Sequence, residues 1–145
     1  MKLLTAVVLA ALSLLCACVP KVTMDVETRD SGGNLIDRGT MTVDSTSRKF
    51  RVASNGTILL TVHGDDSAGL QDLNFTGGFS CSRPGQTQQG TLYGSDSNLP
   101  GNHPTSESFS STLQVQCGGG TYSGSVHGCA KNTKNSSSCT QDATF

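Results

Sequence analysis

The chain alternates. In "KVTMDVETRD" Val22, Met24 and Val26 fall on every second residue, with polar side chains between them. The same period returns at Met41 and Val43, at Phe50 and Val52, at Ile58, Leu60 and Val62, and at Leu73 and Phe75, with Phe79 further along that segment. It continues through Phe109, Leu113, Val115 and Cys117 in "ESFSSTLQVQC" and Tyr122, Gly124 and Val126 in "TYSGSVHG", and "DATF" forms a last short run. A period of two puts one row of side chains on each face of a strand, and no stretch of helical length carries a 3.6-residue stripe. About seven short strands separated by Gly- and Asn-rich turns predict an all-β sandwich or barrel. Asn55-Gly56, between "KFRV" and "TILLTV", predicts a two-residue hairpin turn. From residue 82 to 107 the alternation dissolves into Gly, Pro, Ser, Asn and Gln, which predicts a long polar loop, with at most a short edge strand at Leu92 and Tyr93.

The first residues obey a different rule. Lys2 is followed by an uncharged apolar run from Leu3 to Leu15, 13 residues long. A bilayer of about 30 Å needs about 20 helical residues, so the run suits a secretory signal and not a span. At its end, Leu15-Cys16-Ala17-Cys18 resembles the lipobox of bacterial lipoproteins. The resemblance implies cleavage after Ala17, removal of 1–17, and acylation of Cys18. It also implies export and anchoring of 18–145 by several acyl chains. Residues 18–21 would form a short anchor linker. With Val19 after the cysteine, the likeness implies the outer membrane if the source is Gram-negative.

Loss of Lys2 leaves 9 basic and 11 acidic side chains, a net charge of −2 without a basic stripe. Nucleic-acid binding is therefore poorly supported. Trp is absent and large apolar residues are few, so the core is expected to be thin. The mature domain keeps Cys81, Cys117, Cys129 and Cys139 besides Cys18. Their spacings of 36, 12 and 10 residues lack the close pairs of a four-thiolate zinc site. An even set in an exported chain predicts two disulfides with three possible connectivities. The preferred one is Cys129–Cys139 around a local loop and Cys81–Cys117 between distant strands.

From about residue 50 onward the chain resembles bacterial immunoglobulin-like or fibronectin-III-like domains. The likeness rests on Asp66-Ser67-Ala68-Gly69 as one turn, Gly120-Thr121-Tyr122 as a strand start and Ala130-Lys131-Asn132 as a second turn. It implies a single immunoglobulin-like sandwich, with Tyr122 near the start of the penultimate strand.

For chemistry, the candidates are His63, His103 and His127 with Asp65, Asp66, Asp96 and Glu107. His63 and His127 both occur as Val-His-Gly, and with Asp65 they offer metal-type ligands. "DDSAG" holds few of the oxygens that calcium needs. No G-x-S-x-G, H-E-x-x-H or P-loop is present. The reading that asks for no missing residue is a non-catalytic cell-envelope lipoprotein, with neither cofactor nor metal, bound to the membrane through Cys18. Its domain would serve binding, adhesion or structural interaction with a protein partner, and no small-molecule substrate is evident. The alternatives are a small periplasmic inhibitor of another enzyme and a metal-dependent envelope hydrolase using His63 and His127.

Overall fold

Val22, Met24, Val26, Ile58, Leu60 and Val62 are all buried, and the residues between them are not, so the alternation does place one row of each strand inside. The computed structural model describes residues 19–145; the signal-like segment and Cys18 lie outside the described residues. Its strands are β1 (Lys21–Arg29), β2 (Leu35–Thr42), β3 (Arg48–Lys49), β4 (Thr57–Asp65), β5 (Leu70–Arg83), β6 (Gln86–Asp96), β7 (Ser106–Gln114), β8 (Thr121–Asn132), β9 (Ser137–Cys139) and β10 (Ala143–Thr144). Seven of them have eight residues or more, and β3, β9 and β10 are short.

Two sheets enclose the core. The first has the order β2-β1-β4-β7, and the second β3-β10-β8-β5-β6, with β9 beside β8. All pairings are antiparallel except β3 with β10. β9 and β10 follow one another along the same edge of β8: Cys129 faces Cys139, and further along Val126 faces Ala143. The chain is an all-β two-layer sandwich.

The inner face of the second sheet carries glycine where a core usually carries aliphatic side chains, and aromatic rings fill the space. Phe79 lies over Gly90, and a Cβ on Gly94 would sit 2.6 Å from the Phe75 ring. Phe75 stacks on Phe109 of the opposite sheet at 5.9 Å between centroids. Gly128 in turn admits Val62, whose Cγ2 is 2.9 Å from where its Cβ would be. The thin core closes because the two faces alternate large against small.

Three expectations change. The polar stretch 82–107 is not one loop: β5 runs to Arg83, Pro84 and Gly85 turn the chain, and β6 returns to Asp96. Gly85 has φ 77°, the left-handed value that the third position of such a turn requires. The strand was hidden because its inward row is Gly90, Leu92 and Gly94, while its other face meets solvent. Asn55-Gly56 makes no hairpin, since β3 pairs in the second sheet and β4 in the first. It sits in the crossover, where the Gly56 N–H donates to Ala53 O at 3.1 Å and the missing Cβ makes room for the Arg29 carbonyl. Finally, Ala130-Lys131-Asn132 is still strand; the turn follows, with Asn135 at φ 63°.

Candidate functional site

Register fixes which side chains meet between the sheets. On β5 the residues Phe75, Phe79 and Cys81 point inward, on β8 Tyr122, and on β6 and β7 Leu92 and Leu113. β6 and β7 are the free edges of their own sheets on the same side of the sandwich. Between them the layers do not close. A cleft of about 320 Å³ opens there, walled by Phe79, Leu92, Leu113 and Tyr122 and rimmed by Arg83, Gln88, Gln114 and Gln116. An apolar wall with a few amides and one guanidinium at the mouth is the usual make-up of a binding pocket.

Its walls are pre-set. Phe79 stacks on Tyr122 at 5.9 Å, Tyr122 meets Phe145 at 6.2 Å, and Phe145 meets Phe50 at 6.3 Å. Burial pushes the Tyr122 hydroxyl above the usual tyrosine range, so the ring stays neutral. Arg83 Nη2 donates to the Gln116 carbonyl at 3.2 Å, and the Cys81–Cys117 disulfide ties the two sides together at the base. Both of its cysteines are buried.

The cleft lies far from the start of the described chain. Lys21 at the head of β1 pairs with Asp65, whereas Arg29 at its foot pairs with Thr57, which in turn faces Gln114 on the rim. Eight steps of about 3.3 Å, from the first to the last residue of nine-residue β4, separate these poles by roughly 26 Å. Charge divides along the same axis. The cleft half carries Arg29, Arg38, Arg48, Lys49, Arg51 and Arg83 against Glu27, Asp30 and Asp37. The other half carries Lys21, Lys131 and Lys134 against Asp25, Asp44, Asp65, Asp66, Asp72, Asp96, Glu107 and Asp142.

The two Val-His-Gly histidines do not converge. Val62 and Gly128 face one another inside, so His63 and His127 project from opposite outer faces. The metal pairing of His63 with His127 is thereby ruled out by the layer between them. His63 instead joins a row across four strands: Nδ1 to Ser108 Oγ at 2.7 Å, Nε2 to Asp25 Oδ2 at 3.0 Å, and Thr40 Oγ1 to Asp25 Oδ1 at 2.5 Å. Serine, histidine and aspartate in contact suggest a triad. However, the row lies on an open sheet face, and Glu107 Oε1 takes the Ser108 N–H that an oxyanion would need. It ties strands together. His127 Nδ1 meets Asp142 Oδ1 at 3.1 Å. His103 holds Leu70 O through Nδ1 at 3.3 Å, and Asp96 accepts the Asn98 N–H. Asp66 is buried, accepting from the Ala68 N–H and from Asn132 Nδ2, so it serves the fold; Asp65 is exposed on the strand end.

Cys81–Cys117 and Cys129–Cys139 are both formed, as the spacing favoured. The cleft itself was missed, because its walls come from four strands whose register no local pattern states. Asp25 and Ser108 were missed beside His63 for the same reason. No protein-family model, curated protein or solved structure matches the chain.

Proposed function

We propose that this is a non-catalytic cell-envelope lipoprotein, anchored through Cys18, whose immunoglobulin-like domain binds a protein partner at the cleft. The observation that carries the reading is polarity: β1 begins at one pole, three residues after Cys18, and the cleft opens at the other. An anchor at the first pole turns the second toward whatever approaches the membrane. The immunoglobulin-like assignment is supported by strand order. β1-β4-β7 stand as strands A, B and E do, and β6-β5-β8 followed by β9 and β10 stand as C′, C, F and G do. The partner's chemistry follows from the basic excess of the cleft half and from the cleft wall: an acidic segment with an apolar side chain for Phe79, Leu92, Leu113 and Tyr122.

Two measurements test this. Cys18→Ser is expected to move the protein from the membrane to the soluble envelope fraction and to abolish palmitate labelling; unchanged fractionation defeats the anchoring. For the cleft, the Cys18→Ser chain should capture a partner from envelope extract, and Arg83→Glu, at an exposed rim position, should lose it with the melting curve close to native. A partner held equally by both chains places binding elsewhere.

A further inference from the structure

Cys129 and Cys139 face one another across β8 and β9 on the outer face of the second sheet, because Gly128 and Ala130, which flank Cys129, are buried. Cys139 is exposed and Cys129 half-buried, whereas Cys81 and Cys117 are only 4% and 0% exposed. His127 shares the outer face with Cys129, two residues along the same strand. One of its ring nitrogens and the two sulfurs all lie within 4.8 Å of one another. Asp142, at the start of the last segment, holds His127 Nδ1 at 3.1 Å, which leaves Nε2 for another partner.

We propose that the reduced Cys129/Cys139 pair, together with His127, is a zinc site that the disulfide closes. The donor set is two thiolates and one imidazole, which suits zinc among the biological divalent ions. A tetrahedral zinc would place its two sulfurs about 3.8 Å apart at Zn–S distances near 2.3 Å. Directly opposed cysteines with Cα atoms 4.1 Å apart reach that separation by side-chain rotation once the bond is cut. The Asp142–His127 contact is the outer carboxylate that orients a metal-bound histidine and fixes its tautomer. Water completes the fourth position.

The chemistry balances with a dithiol as reductant. Its first thiolate attacks one sulfur of the Cys129–Cys139 bond, forming a mixed disulfide, and the other cysteine leaves as thiolate. The reductant's second thiol then displaces the first, closing its own disulfide. Two electrons pass to the protein sulfurs, and two protons follow them. Zinc then replaces those two protons, with no further change of oxidation state. Exposure of Cys139 gives the reductant access that Cys81 and Cys117 deny it.

The test uses the full mature chain in detergent. Mild phosphine reduction followed by alkylation and peptide mapping should find thiols at Cys129 and Cys139 alone. That form should take up one zinc per chain against a chromophoric chelator, and cobalt should give thiolate-to-metal charge-transfer bands. The oxidised chain should take up none. Asp142→Asn should weaken zinc binding about 10–100-fold, and His127→Ala, which removes a ligand outright, at least as much. A chain with both thiols mapped but no zinc bound overturns the proposal, whether or not its last strands fray. Zinc affinity indifferent to His127→Ala overturns it too.

Discussion

At the scale of single residues, the second sheet depends on side chains that are missing. A methyl on Gly77 would meet the Ser125 carbonyl and stand 2.8 Å from Val126 Cα, atoms fixed by the β5–β8 ladder. A methyl on Gly128 meets Val62 Cγ2 at 2.9 Å and Met24 Cβ at 3.1 Å, atoms of the opposite sheet that no ladder bond holds to β8. Overpacking costs about 1–3 kcal/mol. Gly77→Ala is expected at the top of that range or above it, and Gly128→Ala lower. Gly85→Ala meets nothing within 4 Å and bears only the cost of its left-handed φ, about 1 kcal/mol. Urea midpoints at unchanged slope should rank them in that order, and a tolerated Gly77→Ala would contradict the close approach of β5 to β8. A second residue sets an acid limit. The Arg51 N–H bond at 3.2 Å, then the Arg38 N–H and the Arg48 and Arg51 charges, hold the Asp37 carboxyl below its ordinary 3.8. Because the folded value is the lower one, the stabilisation is complete above the unfolded value and is lost as pH falls through the folded one. Melting temperature should therefore drop on acidification below about pH 4 less steeply in Asp37→Asn than in the native chain. Parallel curves would remove Asp37 from the acid response.

At the scale of elements, β9 and β10 are the weakest parts of the sheet. β9 has three residues and β10 two, and they hold β8 through few ladder bonds. The Cys129–Cys139 bond pins the first of them, while Ala143 and Phe145 pack into the core behind it. Opening that bond should leave the domain folded but make the chain after Asn132 the first target of protease. Cys81–Cys117 spans 36 residues and joins β5 to the segment that follows β7, so it restrains more of the unfolded chain. In the chain-entropy account the longer loop is worth about 4 kcal/mol and the shorter about 3. Replacing both members of each pair by Ser should lower the melting temperature more for 81/117 than for 129/139. The reverse order would mean that the C-terminal strands, and not the joined sheets, limit stability.

At the scale of the whole molecule, the separation of charge is the feature with consequences. The described chain, residues 19–145, is nearly neutral, yet the cleft half is net basic by three charges and the other half net acidic by five. Such a field would steer an acidic partner of the kind proposed toward the cleft end, and it fades over about 8 Å at physiological salt. Association of the captured partner should slow as ionic strength rises, and Arg51→Glu with Arg83→Glu should slow it at low salt while leaving dissociation less affected. Association rates independent of salt would separate the partner from this pole.

Much of this was legible along the chain. Alternation announced Val22 to Val26 and Ile58 to Val62 as inward rows, because a strand repeats every two residues and burial tolerates few polar side chains. The cysteine spacings favoured the two bonds that form. What the chain could not announce is register and layer. β6 was expected only as a short edge strand at Leu92 and Tyr93; its full length from Gln86 to Asp96 escaped notice because glycines stand where its inward side chains would be, and only the Phe75 and Phe79 rings explain them. Asn55-Gly56 was read as a hairpin, yet "KFRV" leaves for the other sheet, a choice made by pairing with Ala143 and Thr144 nearly a hundred residues later. His63 and His127 share a local motif and end on opposite faces. Sequence by itself determined the inward rows of β1 and β4, where aliphatic side chains mark the local period, but not that Val43 would lie exposed beyond the end of β2. The tertiary structure alone decided which inward residues meet, since contacts between strands depend on long-range register that no local pattern encodes.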